Sequence, residues 1–121
     1  MVFYEKDLDD ISKTISRLAA QANIKRLMLK QQEAYRELDS SSTIVYSKRL
    51  AKEPELIEQY LNKKVVELLK TKSQSSKVII IRPTDALFWE ASLELDFLVK
   101  VDQTFLINLN DMSVTVQYGS Y

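Results

Sequence analysis

From Trp89 to Val101 the chain reads W-E-A-S-L-E-L-D-F-L-V-K-V. Trp89, Ala91, Leu93, Leu95, Phe97, Val99 and Val101 take every odd position, and the even positions are polar except Leu98. Side chains on a strand alternate between faces, so a period of two predicts an extended ribbon with one apolar and one wet side. Such a ribbon needs a cover for its apolar face, and the residues before it are the only candidate. The expectation is therefore an α+β chain: helices first, a sheet behind them.

The first half supports a cover. Asp7 is a candidate N-cap, with Asp9 and Asp10 in the first turn, where carboxylates suit the helix dipole. Leu8, Ile11, Ile15, Leu18 and Ala22 step by three and four, and the stripe then rotates to Ile24, Leu27, Met28, Ala34, Tyr35 and Leu38. Nothing in residues 7–38 breaks a helix. As one helix they would span ~48 Å at 1.5 Å per residue. A compact chain of 121 residues has a diameter of roughly 35 Å. An unbroken rod would outrun its own domain, whereas a break near Asn23 would restore compactness; the unbroken helix is the favoured expectation.

Asp39 to Ser42 reads as a turn. Residues 43–52 follow as a strand or, by preference, a helix. Pro54 fits the first turn of a further helix, whose apolar face is Leu56, Ile57, Tyr60, Leu61, Val65, Leu68 and Leu69. Residues 71–77 are a linker between a helical part, 1–70, and a sheet part, 78–121, of one domain. The sheet is expected to be an antiparallel meander of four strands. These are Val78 to Arg82, ended by Pro83; the Trp89 ribbon; a strand through Phe105, Ile107 and Leu109; and, after a turn at Asn110-Asp111, one through Met112, Val114, Val116 and Tyr118. About 45 residues of sheet cannot stand without the helices. Met1 to Glu5 reads as a short strand or a staple on the first helix.

What the chain lacks narrows its chemistry. With no Cys and no His there is no thiolate or imidazole for a zinc site, and the commonest general base is missing. A single Gly, at position 119, cannot build a phosphate-cradling loop. No metal, cofactor or catalytic constellation is expected, and a non-enzyme is the reading. Glu90, Glu94 and Asp96 share the ribbon's polar face, and a solvated surface explains them better than a cation site, because loops supply most oxygen cages. The acidic start is no signal peptide and no apolar run approaches a membrane span, so a soluble, intracellular protein is expected.

Charge is neutral overall but uneven. Residues 40–77 carry eight basic against four acidic groups, and residues 78–121 two against six. The basic middle and acidic end are suited to attract each other, within one molecule or between copies. Lys48, Arg49, Lys52, Lys63 and Lys64 are candidate phosphate contacts, with Lys25, Arg26 and Lys30 as a second group; interspersed glutamates make a solvated helix surface the plainer reading. Tyr35, Tyr46 and Tyr60 read as core-edge residues and Trp89 as an anchor of sheet to helices.

The leading functional expectation is a non-catalytic assembly or adaptor subunit. Its long helix would hold a protein partner or a second copy, as a dimer, through Leu8, Ile11, Ile15, Leu18, Leu27 and Met28. The alternative is a nucleic-acid-binding protein using the basic helix faces of residues 25–77.

Overall fold

The computed structural model describes residues 5–37 and 39–118. The expectation for Met1 to Glu5 lies almost entirely outside the described residues, as does Leu38. Among the described residues six elements follow one another: α1 (Glu5–Arg36), α2 (Ser40–Lys72), β1 (Val78–Ile81), α3 (Ala86–Leu95), β2 (Gln103–Asn108) and β3 (Ser113–Tyr118).

The first helix is unbroken over 32 residues. Asp7, expected to cap it, lies inside it, and Asp9 instead forms an i,i+4 ion pair with Lys13 at 3.0 Å. The turn after α1 is tighter than the expected four residues. Asp39 is the N-cap of α2: its carboxylate accepts from the Ser42 backbone N–H and hydroxyl, so Ser40 to Ser42 form the helix's first turn. Residues 43–52 are helical, but not as a separate element. α2 runs through Pro54 to Lys72, although a proline inside a helix leaves one carbonyl without its usual donor. Packing along α1 on both sides of Pro54 holds the two halves in one rod, which local propensity does not anticipate.

α1 and α2 form an antiparallel hairpin. The Ser12 hydroxyl donates to the Asn62 carbonyl near one end, and Gln31 donates to Ser47 near the other. The hairpin has two unlike halves. In the half nearer the sheet, Leu8, Ile11, Ile15, Ala19 and Ala20 of α1 meet Ile57, Leu61, Val65 and Leu69 of α2 in the main core. That core also takes Ile79 and Ile81 of β1, Phe105 and Ile107 of β2, and Leu87, Phe88 and Ala91 of α3. Beyond Ala20 and before Ile57 neither helix contributes to it.

Among the described residues the sheet has three strands, not four, in the order β1-β2-β3, all antiparallel. Phe105 of β2 stands between Ile81 and Val116, and Ile107 between Ile79 and Val114. The β2–β3 turn spans the expected Asn110-Asp111, with Met112 at φ 59° inside it and Asp111 accepting from the Ser113 N–H.

The missing strand is the Trp89 ribbon. Its first part is α3, capped by Asp85, whose carboxylate accepts from the Leu87 N–H. The helix stops at Asp96 in the left-handed region, φ 59°, and 97–102 crosses to β2 without joining the sheet. Composition decides against alternation here. No β-branched residue occurs between Asp85 and Leu98, whereas Ala, Leu and Glu dominate. Leu87, Phe88 and Ala91 fall on one helical face and are buried, with Leu95 partly buried against the same core. Trp89, expected as an anchor, is 63% exposed because it lies on the opposite face. The Ser92 hydroxyl donates to the Phe88 carbonyl and accepts from the Val99 N–H, tying the crossing segment back to α3.

Candidate interaction surface on the helical hairpin

The sheet-side half of the hairpin ends at a polar knot. Asn23 is fully buried. Its amide nitrogen donates to the Ala19 and Lys100 carbonyls (2.9 and 3.1 Å), and its oxygen accepts from the Lys100 N–H at 3.2 Å. One side chain thus pairs with both backbone groups of Lys100, as a strand would. Arg26, one turn on, donates to the Leu98 carbonyl (2.9 Å) and to Asn23 Oδ1 (3.3 Å). Glu53 of α2 faces it at 3.9 Å and is only 3% exposed; Arg49 approaches the same carboxylate at 3.6 Å. Burial pushes the Glu53 carboxyl above its ordinary value, against the opposing pull of Arg49 and then Arg26. Glu53 Oε2 accepts no hydrogen bond. This knot fastens residues 98–100 to the hairpin where the main core stops.

Past the knot the hairpin carries its own thinner packing. Leu27 and Ala34 are buried, and Leu50 and Tyr46 are half-buried. Around them Met28, Leu29, Tyr35, Ile44 and Val45 are each about half exposed or more. Tyr35 and Ile44 line a shallow groove with Ala34 and Thr43. Tyr35 therefore stands in the open, not at the core edge.

The residues expected to contact a partner separate along the rod. Leu8, Ile11 and Ile15 are consumed by the chain's own core, and Leu18 packs partly against it. Leu27 is buried within the hairpin, and Met28 is exposed. Four further exposed apolar residues, Leu29, Tyr35, Ile44 and Val45, were missed. The signal was available in principle: Leu29 falls outside the apolar stripe, and two helices of 32 and 33 residues leave both outer faces uncovered.

The candidate phosphate contacts also divide. Lys48, Arg49 and Lys52 are exposed on the outer half of α2. Lys63 and Lys64 belong to the half beside α3, where Lys64 lies 5.9 Å from the Tyr60 ring and both lysines border a groove with Glu94 and Leu95. Glu90 and Glu94, expected on a strand face, are exposed on α3.

Among the described residues no helix is long and apolar enough to cross a membrane. No protein-family model, curated protein or solved structure matches the chain.

Proposed function

We propose that this chain is a non-catalytic assembly or adaptor subunit that is held by a protein partner through the outer half of its helical hairpin. The observation that carries this is the contrast within two continuous helices. Their inner halves put Leu8, Ile11, Ile15, Ile57, Leu61, Val65 and Leu69 into the core, while the outer halves leave Met28, Leu29, Tyr35, Ile44 and Val45 open on a protruding rod. Tyr35 and Ile44, one from each helix, share a groove, and exposed apolar surface shared between elements marks contact sites on domains. The sheet and α3 serve as the body that fixes the rod's direction, through Asn23 and Arg26. A photoreactive residue placed at Leu29 or Val45 should cross-link in the native setting to a protein of defined mass. The same probe at exposed Thr14, on the inner half, should not. Equal, diffuse labelling at all three positions would end the proposal.

Charge favours a second reading. Residues 24–52 carry seven basic against three acidic groups, so the outer half presents a cationic end to phosphates. Binding to duplex or single strands that weakens linearly in the logarithm of salt concentration, and weakens again in Lys48→Glu, would support it. Absence of binding at low salt would remove it.

A further inference from the structure

Resting on the partner reading above, we infer that the occupant of the rod is a second copy of this chain, which lays the outward face of its α3 against the sheet-side face of the rod. The two faces are complementary in charge and both are apolar.

The knot shows which side of the rod looks toward the sheet. On α1, Arg26 holds the Leu98 carbonyl, and the next step of three along that helix is Leu29, 55% exposed. On α2, Leu56 shares a groove with Glu94 and Leu95, and steps of three and four toward the tip lead to Lys52, Arg49 and Val45. This side of the rod is a shelf on which Leu56, Lys52, Arg49 and Val45 follow one another along α2 while Leu29 and Lys30 stand on α1; Arg49 also pairs with Glu53 and Lys30 with Glu33. All three apolar residues are more than 40% exposed.

The opposite member is α3. Its inner face is used up by Leu87, Phe88 and Ala91. Its outer face presents Trp89 and Leu93, four residues apart and 63% and 66% exposed. Glu90 and Glu94 flank this pair at the same spacing. Residues 78–118 as a whole carry six acidic and two basic groups, the inverse of the rod. An exposed tryptophan is the residue type enriched at contact centres, and the flanking carboxylates are opposite in charge to Lys30 and Lys52 of the shelf.

Three features select a second copy over an unrelated acidic partner. The complement to the shelf is carried by the same chain, so every copy brings both members. Net charge is zero, so copies do not repel one another. The shelf and α3 also adjoin on one side of the molecule, through Leu56 and the Arg26–Leu98 bond. A two-fold axis between two copies then makes the contact twice, shelf to α3 and α3 to shelf, and closes the assembly at two. An interface of ordinary size, about 800 Å² per partner, would take roughly a tenth of the 7846 Å² surface.

Charge reversal tests the pairing directly. Sedimentation of the wild-type chain should show a rise from the 14.0 kDa monomer to twice that mass with concentration, at a midpoint that moves up with added salt. Trp89 emission should shift to the blue over the same range. The shelf variant Lys30→Glu with Lys52→Glu, and the α3 variant Glu90→Lys with Glu94→Lys, should each stay monomeric. All four positions are exposed, so both variants should fold, which unchanged circular dichroism verifies. Mixing the two variants restores opposite charge at both contacts and should recover the dimer. A wild-type chain that stays at 14.0 kDa up to millimolar concentration overturns the inference, as does a mixture that fails to recover the mass. In either case, persistent cross-linking from Leu29 to a different protein would leave the partner reading standing, and loss of both results would remove both.

Discussion

Replacing Asn23 by alanine isolates the joint between rod and sheet. The substitution deletes two hydrogen bonds to the Lys100 backbone and the acceptor for Arg26. A typical intramolecular hydrogen bond contributes about 1 kcal/mol net, and a buried donor left without an acceptor costs about 1–3 kcal/mol. Lys100 itself is exposed, so water can reach its backbone in part and the lower end applies. Alanine is favoured over asparagine in a helix by about 0.6 kcal/mol, which offsets some of the loss. The balance is a destabilisation of about 2 kcal/mol in urea unfolding. At an unfolding entropy of about 2.1 cal/mol/K per residue, that corresponds to a fall in Tm of ~8 °C. Asn23→Asp separates geometry from polarity. It keeps the acceptor but turns an oxygen toward the carbonyls of Ala19 and Lys100, which now receive a donor at 2.9 and 3.1 Å. It should cost more than alanine at neutral pH. Hydrogen exchange locates the effect: the Lys100 amide should lose protection, while the Val99 amide, held by Ser92, should keep most of its own. A loss below about 0.5 kcal/mol, or unchanged exchange at Lys100, would refute the clamp.

Other outcomes follow from the same structure. Trp89, the chain's one tryptophan, should emit in the solvent-exposed range in dilute native protein, and Trp89→Ser should change stability by less than about 0.5 kcal/mol; a blue-shifted monomer or a loss of about 3 kcal/mol would place the ring in the core instead. For Glu53 the folded carboxyl titrates above its ordinary value because of burial, so the folded state holds the proton more tightly than the unfolded chain. The stability of wild type relative to Glu53→Gln should therefore rise as pH falls through the window from the raised value down to the ordinary glutamate value, and the opposite slope in urea midpoints would contradict this. Asp39 shows the reverse sign: hydrogen bonds from Ser42, side chain first and backbone second, hold its carboxyl below the usual range. Its stabilisation is complete above the ordinary aspartate value and is lost as pH falls through the depressed one, so Asp39→Ala should lower Tm at neutral pH and match wild type in strong acid.

Where the two levels of description part is visible in single residues. Leu8, Ile11 and Ile15 announce a helix by spacing, and a helix is what they form; spacing alone cannot say whether the face they make is met by the same chain or by another. Here the main core takes them. Ile107 and Phe105 keep their period of two because β-branched and aromatic neighbours agree with it. In Trp89 to Leu95 the period is two but the residue types are helical, and when both signals occupy a segment this short, burial decides. The helix lets Leu87, Phe88 and Ala91 reach the core together. Asn23 reads locally as a weak point in α1, yet its amide is matched to a backbone 77 residues away.

Length, unbroken helical composition and alternation near the C-terminus were sufficient to determine a helical part followed by an antiparallel sheet, with a first helix longer than a compact domain. Those properties arise within a few residues of each position, and a linear reading captures them. Tertiary structure alone decided that the rod is doubled by α2 through Pro54, that the Trp89 segment is a helix, and which apolar residues remain outside. Each of these depends on free energy gained by burying surface against elements distant in the chain, a term that no local pattern contains.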